Sequence, residues 1–195
     1  MINLLWRLLA KVLARPAIAA WLIARAQRTP YLHIQSADGQ EVYMGRWWLF
    51  NPYDRETHLG RIRWCPWSIR VHHIMRPGAD RDLHDHPWNA RTVILRGWYT
   101  EQRQASDEWK KAVRSGLIEN PDPKFVEWLM RDACEWIRRD AGDTAQLNHG
   151  EYHRIDEVSP GGVYTLFITS RWKGDWGFLV NGVKVAWRDY TGEKS

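Results

Sequence analysis

The sequence predicts an all-β barrel or sandwich preceded by a short helical arm, and three observations carry this. From Tyr31 onward the chain breaks into short runs rich in Ile, Val, Trp and Tyr, residue types that fit a pleated, half-buried surface. Turn chemistry interrupts these runs at short intervals, as at Ser159-Pro-Gly-Gly and Asn181-Gly182. The first thirty residues follow a different period, with apolar residues every three or four positions and no Asp or Glu before Asp38.

Taken in order, residues 2–15 read as a basic amphipathic helix. Leu5, Leu8, Leu9, Val12 and Leu13 share one broad face, and Arg7, Lys11 and Arg15 lie on the other. Pro16 suits the first turn of a second helix, Ala17 to about Gln27, which Pro30 ends. Tyr31–Gln35 and Glu41–Phe50 form a hairpin with its turn at Asp38-Gly39. Arg61–Arg76 gives one or two strands around Pro66. Leu83–His86 and Arg91–Thr100 follow, with Gly97 near a turn. Phe125, Leu129, Ala133, Trp136 and Ile137 recur at helical spacing. Glu108–Ser115 and Lys124–Arg139 therefore read as helices parted by Asn120-Pro-Asp-Pro. Strands return at Thr144–Leu147, Glu151–Val158, Val163–Arg171 and Gly177–Trp187. The expected division is a helical arm over 1–30 and one domain over 31–195, with a helical insertion over about 102–141.

Composition narrows the classes. A chain of 195 residues can bury one sizeable core, and 44% apolar with 26% charged residues argues against global disorder. Fourteen Trp point to a rigid core with amphipathic edges, or to a surface that stacks flat ligands. Cys65 and Cys134 stand far apart and outside any CxxC pattern, so a reducing, cytoplasmic compartment is expected. The longest apolar run, Ala17 to Ala24, is shorter than the ~20 residues a bilayer span requires. A basic helix with a Leu/Trp face can nevertheless lie on an anionic membrane surface. A peripheral contact through residues 2–28 is one expectation for the arm, and packing on the domain or in a homodimer is the other. No phosphate loop or nucleophile elbow is present, and no nucleic-acid partner is expected from a net charge of +5 without a recognised binding fold.

The segment that carries chemistry runs from Gly78 to Gly97. On a strand, residues two apart point the same way, so His84 and His86 can aim two imidazoles at one ion while Asp85 faces away. Imidazole suits Fe, Zn, Ni and Cu. By itself such a pair is weak evidence, since paired surface histidines are common.

The spacing raises its weight. Gly78, five residues, His84-Asp-His86 and, after ten more, Gly97 resembles the first motif of the cupin superfamily. Gly142, then Asn148-His-Gly150, two residues and His153 resembles the second. The resemblance covers about residues 60–180 and implies a double-stranded β-helix, the cupin or jelly-roll barrel, with N-terminal helices and a helical insertion between the motifs added. It also implies that His153 joins His84 and His86 on one divalent ion. The position where the family usually has glutamate is Ala90, which cannot bind metal. Three neutral histidines make the site more similar to the thiol dioxygenases of that superfamily than to its His/Glu members. Fe(II) is the expected cofactor, with Zn or Ni as alternatives, and a small molecule the expected substrate. Glu101, Glu151 and Asp82 are candidates for a fourth ligand. Small cupins of this look also occur among phage proteins, a looser resemblance.

Three further residues are candidates for catalysis. If Ile69, Val71, His73 and Met75 face the interior, His73 lies near the ion and His72 faces out. If the parity of His84 and His86 continues, Thr92, Ile94 and Arg96 share their side, and Arg96 could clamp a carboxylate. Tyr99 is a candidate phenol donor near the mouth, and Trp88 a wall of the pocket. The expected function is a metal-dependent oxygenase; the alternatives are a non-catalytic metal- or ligand-binding module and an interaction protein docked through its N-terminal helices.

Overall fold

The computed structural model describes residues 2–35, 39–78, 82–106, 111, 115, 122–124 and 134–192. Two helices, α1 (Ile2–Leu13) and α2 (Pro16–Ala26), precede twelve strands. These are β1 (Ile34–Gln35), β2 (Val42–Phe50), β3 (Ser68–Ile74), β4 (Leu83–His84), β5 (Ala90–Arg96), β6 (Trp98–Gln104), β7 (Cys134–Asp140), β8 (Thr144–Leu147), β9 (His153–Val158), β10 (Val163–Thr169), β11 (Gly177–Val180) and β12 (Val183–Ala186). A one-turn helix, α3 (Trp187–Thr191), follows.

The strands form two six-stranded antiparallel sheets, ordered β1-β2-β3-β10-β5-β8 and β12-β11-β4-β9-β6-β7. From β3 to β10 the chain repeatedly crosses between them, the pattern of a jelly roll. One consequence decides the site: β4 and β9 become neighbours, with His84 directly opposite His153. Residues paired across two strands share a face, so 69 positions of sequence separation collapse into one contact.

The first sheet is buried on both faces. Val71, Val93, Leu95 and Leu166 turn outward and are covered by Ala10 of α1 and Ala19, Leu22, Ile23 and Ala26 of α2. The inner face carries Arg70, His72, Thr92, Thr165 and Phe167. Helix α1 contributes little burial of its own: Ala10 is its buried residue, whereas Leu5 is 65% and Leu8 55% exposed. Gly97 joins β5 to β6 at φ 81°, a region β-carbons disfavour, and a side chain there would meet Ser159 Oγ at 2.5 Å.

One expectation changes. The run read as helix up to Arg139 ends as strand, because Cys134–Asp140 forms a seven-residue ladder with Trp98–Gln104 at the sheet edge. Tertiary pairing overrides the weak helical period there. The rest of the Glu108–Ser115 and Lys124–Arg139 readings falls mostly outside the described residues. The Arg61–Arg76 segment, expected to give one or two strands, yields one, β3, after a loop.

Candidate metal centre

His84 stands on β4, His86 just beyond it, and His153 opens β9. One ring nitrogen from each lies within 4.8 Å of the others. His86 Nε2 and His153 Nε2 are 2.9 Å apart, near the spacing of adjacent donors around an ion bound at about 2.0–2.1 Å. Asp85 points the other way, as strand parity requires. It is fully buried and accepts hydrogen bonds from the Gly177 amide at 2.7 Å and Lys184 Nζ at 2.6 Å. This ties β4 to the β11–β12 hairpin and fixes the direction of the two flanking imidazoles.

Glu101 supplies the third histidine's orientation. Its buried carboxylate accepts from His153 Nδ1 at 3.3 Å, from Arg103 Nε at 2.9 Å and from Arg139 Nε. A proton held on Nδ1 leaves the Nε2 lone pair free for an ion, the usual arrangement behind a ligating histidine. Burial works to raise the Glu101 pKa, but the hydrogen bond from His153 and the charges of Arg103 and Arg139 outweigh it and lower it from 4.5 to about 2. Glu101 thus acts behind His153 and stands outside the three-histidine cluster. Sequence reasoning placed it only among candidate ligands. Its role follows from the β6–β9 pairing, which sets Arg103 opposite His153.

The donor set suits a divalent ion. Burial, and then the neighbouring His153, hold the His84 pKa down to about 3. Burial followed by His84 pushes His86 well below its ordinary 6.5. Both rings therefore stay neutral and keep a lone pair, as ligation demands. His84 Nδ1 is also buried without a hydrogen-bond partner. Three converging imidazole nitrogens fit Fe, Zn or Ni.

The cluster lines a cavity of about 290 Å³ between the sheets. Trp88 and Phe167 wall it, as do Leu147 and Trp176. Tyr99 lines it too; burial, and then Glu101, raise its pKa, so it presents a protonated phenol. The other two candidate residues are placed elsewhere. His73 is outside the cavity, stacked on Tyr164 at 4.0 Å with Nε2 3.0 Å from the Gly161 carbonyl. Its neighbour His72 faces in. The parity of β3 is opposite to the expected one because the apolar residues Val71 and Ile69 pack against the helices. Arg96 is exposed and lies over the Tyr164 ring at 4.4 Å. It sits at the strand end past an irregularity in the β5–β10 register, beyond the reach of the barrel interior. Ala90 offers no ligand and pairs with Leu147 and Thr169.

No family model and no curated protein matches the sequence. Among solved structures the fold is similar to the DMSP lyase DddQ from Ruegeria pomeroyi, at 15% identity and TM-score 0.48, over 92% of this chain and 70% of that one. It is also similar to an oxalate decarboxylase of Bacillus subtilis, at 11% identity and TM-score 0.46, over 85% of this chain and 32% of that one. A third similarity is to a structure of the DMSP lyases RdDddP and RnDddQII, at 12% identity and TM-score 0.44, over 76% of this chain and 60% of that one. This chain spans less than two thirds of the last two.

Proposed function

We propose that the protein is a metal-dependent enzyme of the cupin type, an Fe(II) oxygenase acting on a small molecule. The observation that carries the reading is the convergence of His84, His86 and His153 on one cavity between the sheets. Fe(II) held there would supply dioxygen activation, with Zn or Ni offering Lewis-acid chemistry in its place. The chain's own residues do the remaining work. Glu101 holds the His153 tautomer. Trp88, Leu147 and Phe167 exclude water from the reacting centre. Tyr99 offers a phenolic proton from the wall.

Metal analysis of the purified protein beside a His84→Ala/His86→Ala variant tests the site. The wild type retains one equivalent and the variant none. Oxygen uptake with Fe(II) and a panel of thiols and small acids tests the chemistry. Stoichiometric metal without uptake across the panel would turn the reading to a non-catalytic binding module.

A second reading concerns the arm. The apolar side of α1 is uncovered in the chain, with Ile2, Leu4, Leu5, Leu8, Leu9 and Val12 all at least 42% exposed, and Arg7, Lys11 and Arg15 flank it. No helix among the described residues is long and apolar enough to cross a membrane. We propose that residues 2–28 rest on an anionic lipid surface. Vesicles containing phosphatidylserine should retain the full chain but not a Leu5→Glu/Leu8→Glu variant. Equal retention of both, or concentration-dependent dimerisation abolished by the same changes, refutes the lipid contact.

A further inference from the structure

Arg70 stands on the inner face of β3, is 2% exposed and lines the same cavity as the three histidines. A buried guanidinium ordinarily has a carboxylate partner, because an unpaired charge out of water is costly. Arg70 forms no ion pair among the described residues. Five rings surround it instead: its Cζ lies 5.0 Å from the ring centroid of Trp88, 5.2 Å from Trp48, 5.5 Å from Phe167, 5.6 Å from Tyr53 and 5.7 Å from Tyr31. Such rings attract the cation through its faces, but they give its in-plane N–H groups nothing to bond to. Nη1 donates to the Tyr53 hydroxyl at 3.3 Å. Nε and Nη2 are buried without a partner.

Those two nitrogens form one edge of the guanidinium, and their N–H bonds run parallel. That edge matches the two oxygens of a carboxylate. Two more buried polar atoms around the cavity also lack partners, Trp88 Nε1 and His72 Nε2. Among the described residues the cavity wall holds Arg46, Arg70 and Arg154 and no Asp or Glu. Clustered unsatisfied polar atoms in a cavity of one charge sign are accounted for by an occupant of the other sign.

We infer that Arg70 seats the carboxylate of the substrate on its Nε/Nη2 edge, so that the pocket takes a small monocarboxylate whose far end reaches the histidine cluster. The span is short, since Trp88 and Phe167 contact both Arg70 and His86. The flanking rings favour a planar acid group over a tetrahedral phosphate, which would need donors out of the guanidinium plane. The seat explains why Arg70 carries no counter-ion among the described residues. It rests on the reading of this cavity as the active site but does not require that a metal be bound.

Trp88 and Trp48 lie beside the seat, so tryptophan fluorescence of the full chain reports occupancy. Titration with acetate, pyruvate and benzoate, each compared with its neutral amide and with inorganic phosphate, is done with and without Fe(II). At least one acid should bind tenfold or more tighter than its amide and than phosphate. Arg70→Lys keeps the charge, loses the fork and should weaken that acid at least tenfold. Arg70→Met should abolish the preference for acid over amide while melting no lower than the wild type, since it removes an unpaired buried charge. Wild-type protein that binds no acid better than its amide overturns the seat, whatever the variants do. So does a preference for phosphate, or an acid preference that survives in Arg70→Met. Arg70-dependent acid binding in protein that takes up no metal would sink the metal reading and leave this one standing.

Discussion

Replacing Glu101 by Gln tests the link between the buried charge network and the metal centre. The substitution keeps the shape and removes one negative charge from between Arg103, Arg139 and His153. The two guanidiniums are only 17% and 16% exposed and lose their shared counter-ion. The new amide NH₂ must also face a donor. The folded protein holds the Glu101 pKa at about 2 rather than 4.5, and at about 1.4 kcal/mol per unit this amounts to about 3 kcal/mol of stability. Breaking a buried pair by deleting one partner costs a similar amount, ~3–5 kcal/mol. At this chain length a loss of about 3 kcal/mol lowers the melting temperature by about 6–12 °C. The stability is fully present above the unfolded carboxyl pKa of about 4.3 and is lost as pH falls toward 2. The variant should therefore show a flatter profile than the wild type across that window. Metal affinity should drop about 10–100-fold, because the His153 tautomer is no longer held. Urea melts at neutral and acid pH, together with a competitive metal titration, read both effects. A variant as stable as the wild type that binds metal equally well would show that Glu101 neither anchors the arginines nor orients His153.

Three other outcomes are expected. Burial, ahead of neighbouring charges, depresses the pKa values of His72, His84 and His86, so below about 6.5 the unfolded chain takes up protons that the folded one refuses. Stability of the metal-free protein is therefore full above that pH and falls below it; urea melts that agree at pH 7.5 and 5.5 contradict this. Asp85→Asn weakens the tie to Lys184 and the Gly177 amide and should cost ~2 kcal/mol, with weaker metal binding because β4 loses its anchor; denaturant midpoints and metal titration check it. Gly97→Ala forces a β-carbon into a left-handed turn and against Ser159, which should cost ~1–2 kcal/mol or more; an unchanged melting temperature rules out that strain.

Much of the scaffold was legible in local chemistry. The turn at Asn181-Gly182 falls between β11 and β12, and the parity of His84-Asp85-His86 places two imidazoles on one side and a buried carboxylate on the other. Less legible was which face of β3 looks inward. Its burial alternates hardly at all from Ser68 to Ile74, since helices cover one side and the cavity wall forms the other. His73 and His72 were thus indistinguishable from sequence, and Arg70 carried no signal at all. Arg96 left the side of Thr92 because the register shifts between Ile94 and Arg96, which sets it opposite Tyr164 on the outer face. The run through Trp136 and Ile137 matched a helix period until β6 offered it a ladder.

Sequence alone determined the strand periods, the turns and the pairing of His84 with His86, because these depend on neighbours within a few residues. Only the tertiary structure decided that His153 stands opposite His84, that Glu101 reaches behind it, and that Arg70 is enclosed among aromatic rings. A two-residue period defines two faces without saying which is enclosed, and desolvation of a charge is set by whatever the opposite sheet and the flanking rings bring to it.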